Sequence, residues 1–201
     1  MKAKIYLEGG GDGKDLHVRC RAGFSKLLES AGFKGKMPQL TACGGRDLAY
    51  RGFKTEHTFG KADYVAMLVD SEDPVNDLER PWAHLKERDG WERPDGSNDE
   101  QVFLMATCME TWIAADSDTL WRHYGNCLRK SALLPIHNIE DRHRHDIQES
   151  LKQATSGCSN AYQKNKRSFE ALGKLDPSVL EENLESFKRM KRILNEQLKP
   201  F

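Results

Sequence analysis

The segment Tyr64–Pro74, YVAMLVDSEDP, constrains this chain more than any other. Tyr64 to Val69 run without polar alternation, the pattern of a strand buried on both faces of a parallel sheet. Asp70, Glu72 and Asp73 then arrive together, and Pro74, which cannot donate to a sheet ladder, stops the strand. Carboxyl ends of strands are where open α/β sheets bind ligands. Carboxylates this close repel one another in a low dielectric unless a cation neutralises them. The partner that oxygen ligands favour is a hard divalent ion, Mg²⁺ (or Mn²⁺). The competing reading is an acidic surface turn.

The rest of the chain supplies a sheet for that strand. Lys4–Leu7 reads as a first strand, with Glu8 at its end and Gly9, Gly10 and Gly11 leaving that carboxylate uncovered. Asp12 is placed to cap a helix carrying Leu16, Cys20, Phe24, Leu27, Leu28 and Ala31 at spacings of three and four, closed by Gly32. The glycine turn is not a phosphate loop: Gly13-Lys14 is followed by Asp15 where Ser or Thr is needed, which argues against nucleotide hydrolysis there. Met37–Cys43 reads as a second strand and Arg46–His57 as a helix, with Arg46 a candidate phosphate contact at the turn between them. Pro74–Asn98 is loop-rich, with two helical turns over Trp82–Arg88 and with Trp82 and Trp91 as buried anchors. Gln101–Thr107 is a fourth strand candidate. Glu110 lies in the apolar run CMETWIAAD, where a lone carboxylate is costly. It either joins the acid cluster as a metal or water ligand or pairs with a basic partner.

From residue 126 the pattern is mostly helical. His137, His143 and His145 read as solvated, because His-x-His on a helix points apart. Lys164, Lys166 and Arg167, interleaved with Tyr162 and Phe169, are candidate substrate-backbone contacts. Asp176-Pro177 opens a helix. The last helix carries Leu180, Leu184, Phe187, Met190, Ile193, Leu194 and Leu198 on one stripe, suited to the core or to a partner. Its Lys188, Arg189, Lys191 and Arg192 fall mainly off the stripe and are further phosphate-binding candidates. The expected architecture is an α/β, Rossmannoid domain over 1–125, about four strands and mostly parallel, with a helical extension over 126–201 packed on it.

Composition narrows the partners. Basic and acidic residues number 31 each, so a nucleic-acid partner has to be gripped by a local patch or with help from another subunit. No apolar run approaches the roughly 18 residues a membrane helix needs, and no leader pattern opens the chain, so a cytoplasmic protein is expected. Five scattered cysteines without C-x-x-C spacing read as reduced thiols.

A glutamate at the first strand and an acidic pair at the third resemble the Toprim domain of topoisomerases, primases and OLD-family nucleases. The resemblance implies a Toprim-like fold, with Glu8 in proton transfer and with Asp70 and Glu72 binding Mg²⁺ beside a phosphodiester. Glu72 stands where the family has aspartate, so Asp73 is an alternative second ligand. More closely, LVDSEDP, PWAHLKERDGW, MATCMETWIAAD and YQKNKRSF are similar to small bacterial Toprim-like proteins of unknown function. Those are related to the RloB-like and OLD-like Toprim proteins of ATPase-associated antiviral (phage-defence) systems. What this implies is a metal-dependent nuclease acting on DNA or RNA beside an ABC/OLD-type ATPase. The alternative is a non-catalytic subunit that docks on that ATPase through the last helix. Homo-oligomerisation stays open.

Overall fold

The computed structural model describes residues 1–164 and 167–199. Four strands, β1 (Ala3–Gly10), β2 (Gln39–Gly44), β3 (Tyr64–Asp70) and β4 (Val102–Met105), form one sheet in the order β2-β1-β3-β4, with every pairing parallel. This is the expected four-stranded, Rossmann-like α/β architecture. Helix α1 (Lys14–Leu28) carries the chain from β1 to β2, and α2 (Arg46–Phe59) carries it back past β1 to β3. The direction of winding therefore reverses at β1, and a crevice opens between the carboxyl ends of β1 and β3.

Alternation along each strand divides the core in two. Tyr64, Ala66 and Leu68 of β3 face one side with Ile5, Leu7, Phe24 and Leu27, while Val65, Met67 and Val69 face the other with Ala49, Phe53, Trp82 and Leu85. All of β3 is buried, as its unbroken apolar run requires. Helix α3 (Pro81–Asp89) covers the second face, and Trp82 and Trp91 are buried there as anchors. The first face receives α4 (Met109–Ala115), α5 (Ser117–Tyr124), α6 (Arg144–Thr155), α7 (Ser168–Leu172), α8 (Pro177–Asn183) and α9 (Glu185–Gln197), whose apolar residues run continuously into the core beneath α1.

Several expectations are corrected. The stripe Leu180, Leu184, Phe187, Met190, Ile193, Leu194 and Leu198 is buried in the protein's own core and offers no docking face. Its basic neighbours stand in ion pairs. Arg189 and Arg192 bind Glu79, Lys191 binds Glu181, and Lys188 binds Glu185. Asp12 does not cap α1, whose N-cap is Gly13 and which has no side-chain cap. Asp116 and Asp176 do cap, accepting hydrogen bonds from the Thr119 and Ser178 backbone N–H groups. Cys127 and Cys158 form a disulfide, with Cα atoms 5.2 Å apart, whereas Cys20, Cys43 and Cys108 are free thiols. Their separation of 31 residues gave no signal, because packing of α6 back towards the turn after α5 is what brings them together.

The glycines at the crevice are held by geometry. Gly44 has φ +82°, and a Cβ there would stand 2.5 Å from the Gly11 carbonyl oxygen, so the β1 and β2 loops touch backbone to backbone. Gly44→Ala is therefore expected to cost about 2 kcal/mol or more, from the left-handed backbone and the clash together. Urea unfolding measures it, and a loss below about 0.5 kcal/mol would contradict this contact.

Candidate metal centre

Adjacency of β1 and β3 sets Glu8 and Asp70 side by side. The Glu8 Oε2 atom accepts the Asp70 backbone N–H at 3.0 Å. Asp70 is buried, and its Oδ1 accepts the Met109 N–H at 2.7 Å, at the first turn of α4. Beyond β3 the backbone turns at Glu72, which adopts φ +69°, a left-handed conformation costly for a residue with a Cβ. That turn aims the Glu72 carboxylate back over the crevice. One carboxylate oxygen from each of Glu8, Asp70 and Glu72 lies within 4.8 Å of the others. Strained backbone that concentrates like charge is the kind of outlier found at ligand sites.

Electrostatics make the cluster unfavourable as it stands. Burial holds the Asp70 carboxyl well above the usual carboxylate range, and the charges of Glu8 and Glu110 push it further up. Burial also raises Glu8, against the lowering influence of Arg46 and the Asp70 N–H. The described hydrogen bonds and ion pairs engage Oε2 of Glu8, Oδ1 of Asp70 and Oε2 of Glu72. Among the described residues, no hydrogen bond reaches the second oxygen of any of the three carboxylates. An all-oxygen donor set with excess negative charge fits a hard divalent cation such as Mg²⁺. A cavity of about 190 Å³ opens beside it, lined by Glu8, Asp70, Met109, Glu110, Lys164 and Phe169 among others.

The remaining sequence candidates fall in different places. Asp73 turns outward to Arg88 at 3.0 Å and stays outside the cluster, so Glu72 supplies the third carboxylate. Glu110 lines the cavity but finds no basic partner among the described residues. It accepts the Tyr162 hydroxyl and, at 3.4 Å, the Gln148 amide. Lys164 reaches the cavity wall and favours the charged forms of both Glu8 and Asp70. Lys166 lies outside the described residues. Arg167 is not turned to the cavity: it donates to the carbonyls of Ser159 and Ala161 and braces the loop before α7. Arg46 is also committed internally. It pairs with Asp89 at 2.5 Å and with Glu8 at 3.5 Å, donates to the Asp70 carbonyl, and lies over the Trp91 ring. It is a strut of the site with little left for a phosphate.

Two residues at the site had no sequence signal. Arg88, near the end of α3, and Arg144, opening α6, both reach the Glu72 carboxylate. The only hint was that a crowded acid cluster needs counter-charge, and nothing in the spacing said which of 31 basic residues would supply it.

The fold is similar to that of the C-terminal region of the Burkholderia pseudomallei OLD protein, with a TM-score of 0.51 over 98% of each chain at 14% identity. No curated protein matches the chain in sequence. Among the described residues, no helix is long and apolar enough to cross a membrane. Residues 7–195, from the end of β1 into α9 and including every carboxylate of the cluster, match the family described as "Domain of unknown function (DUF4276)", and the chain belongs to that family.

Proposed function

We propose that the protein is a Mg²⁺-dependent nuclease that cleaves a DNA or RNA phosphodiester at the Glu8, Asp70 and Glu72 cluster. The observation that carries this reading is the convergence of three carboxylates, one from each side of the winding switch and one from a strained turn, within 4.8 Å. Asp70 and Glu72 hold the cation. Bound Mg²⁺ or Mn²⁺ supplies Lewis-acid polarisation of a phosphoryl oxygen and charge for the leaving oxyanion. Glu8, whose carboxyl burial raises above its ordinary value, takes a proton from the attacking water. Lys164 steadies the phosphate from the cavity wall. Glu110 orders that wall through the Tyr162 hydroxyl.

An ABC/OLD-type ATPase partner and a role in antiviral defence belong to this proposal through the family resemblance alone. Because the α9 stripe is buried, such a partner docks on another surface. Co-purification with the products of neighbouring genes tests it.

The chemistry is tested by incubating plasmid DNA and tRNA with the protein and Mg²⁺ or Mn²⁺, alone and with any such partner. Metal-dependent cleavage is expected, and Glu8→Gln is expected to lower it by about 10²-fold or more, as loss of a general base does. Cleavage that persists in EDTA, or that survives both Glu8→Gln and Asp70→Asn, would remove this site from the reaction.

A further inference from the structure

We propose that Arg144, supported by Arg88, is a further substrate-phosphate contact of this site, beside Lys164, and that its ion pair with Glu72 is the resting arrangement from which it is recruited. This rests on the metal-centre reading of Glu8, Asp70 and Glu72.

The arginines beside the cluster differ in how many donors they have to spare. Arg46 is spent on Asp89, Glu8 and the Asp70 carbonyl. Arg88 is divided among Glu72, Asp73 and Asp89. Arg144 differs from both: among the described residues its one carboxylate partner is Glu72, engaged through Nη1. Its side chain is 35% exposed at the start of α6, so most of its guanidinium donors remain at the rim of the crevice. A guanidinium fork is the side chain best matched to two phosphate oxygens at once.

Charge balance gives the direction. Three carboxylates face three arginines, Arg46, Arg88 and Arg144. A divalent cation on the Glu8, Asp70 and Glu72 oxygens takes over the neutralisation of Glu72 that Arg144 supplies at rest, and so leaves a surplus of positive charge at the rim. The surplus falls where Arg144 stands, and the monoanionic phosphodiester of a nucleic-acid backbone neutralises it. Arg144 and the cation thus compete for Glu72, whereas Arg144 and the phosphate cooperate. The two ligands are predicted to respond to loss of Arg144 with opposite signs, which a bracing role alone would not produce.

The test compares wild type, Arg144→Ala, Arg144→Lys and Arg88→Ala. Calorimetry reports Mg²⁺ affinity, and fluorescence anisotropy reports binding of a labelled single-stranded oligonucleotide in Ca²⁺ over a salt series. Arg144→Ala is expected to bind Mg²⁺ about threefold to tenfold more tightly, because Glu72 loses a competing charge. The same variant is expected to bind the oligonucleotide about tenfold more weakly. Its log–log salt slope should be smaller by about 0.7, the share of one single-strand phosphate contact. Arg144→Lys is expected to keep the slope and recover part of the affinity, and it carries the test should the alanine variant unfold. Arg88→Ala should raise Mg²⁺ affinity with a smaller loss of oligonucleotide. An unchanged slope and oligonucleotide affinity in Arg144→Ala, with wild type binding Mg²⁺ normally, would overturn this inference and leave the metal centre standing. A wild type that binds no Mg²⁺ would overturn both.

Discussion

Asp70→Asn is expected to lower Mg²⁺-dependent cleavage by on the order of 10³-fold while making the metal-free protein more stable. The activity loss follows from removing the most buried ligand, since a bound metal supplies several kcal/mol of charge stabilisation. The stability gain follows from the same burial. Asp70 is buried beside Glu8 and Glu110 with no ion-pair partner among the described residues, so a neutral amide of nearly the same shape relieves desolvation and repulsion together. The amide oxygen can still accept the Met109 N–H. A gain of about 1–2 kcal/mol, or roughly 3–6 °C in Tm, is expected for a chain of this size.

The pH dependence has a definite sign. A carboxyl whose folded pKa is raised contributes stability that is fully present below its unfolded value, near about 4, and is lost as pH rises through the folded value. Asp70 and Glu8 are both raised, so the advantage of Asp70→Asn over wild type should be small near pH 4 and grow towards neutrality. Mg²⁺ should reverse the ranking by stabilising wild type and leaving the variant unmoved. Thermal unfolding at several pH values, with EDTA and with Mg²⁺, reads all of this. Equal stabilisation of both proteins by Mg²⁺ would place the cation somewhere else.

Phe187→Ala is expected to cost about 3–5 kcal/mol, a large fraction of the roughly 5–15 kcal/mol by which domains are stable. Phe187 is fully buried on α9 and meets the Trp112 ring edge-on at 5.1 Å, while the Trp112 indole N–H reaches the Ser186 hydroxyl. Removing the ring opens a cavity between α4 and α9 that the neighbouring helices cannot collapse to fill. Denaturant unfolding at fixed pH measures the loss. A change under about 1 kcal/mol would mean that α9 is peripheral, and the idea of a helix held out for a partner would regain its footing.

Much of the scaffold was legible because it is written in local chemistry. The apolar run of β3, the periodicity of α1, the Asp176 cap and the glycines that end β1 each act within a few residues, where side-chain pattern and backbone preference coincide. Glu8 and Asp70 were legible as a pair for a related reason. Each ends a strand, and parallel strands in an open sheet present their carboxyl ends together.

What could not be read is set by distances that are short in space and long in sequence. Arg144 meets Glu72 across 72 positions, Tyr162 meets Glu110 across 52, and Cys158 meets Cys127 across 31. The same holds for the choice of Glu72 over Asp73, which depends on one left-handed backbone angle and on where two arginines arrive. The α9 stripe is the clearest instance: an amphipathic helix announces that one face will be covered but not by what. The sequence alone therefore determined the four strands, the helices between them and acids at the tips of two strands, because these follow from local pattern. Only the tertiary structure decided which carboxylate completes the cluster, which arginines oppose it and what buries the last helix, because ion pairs and core contacts are formed by packing, and packing carries no periodicity along the chain.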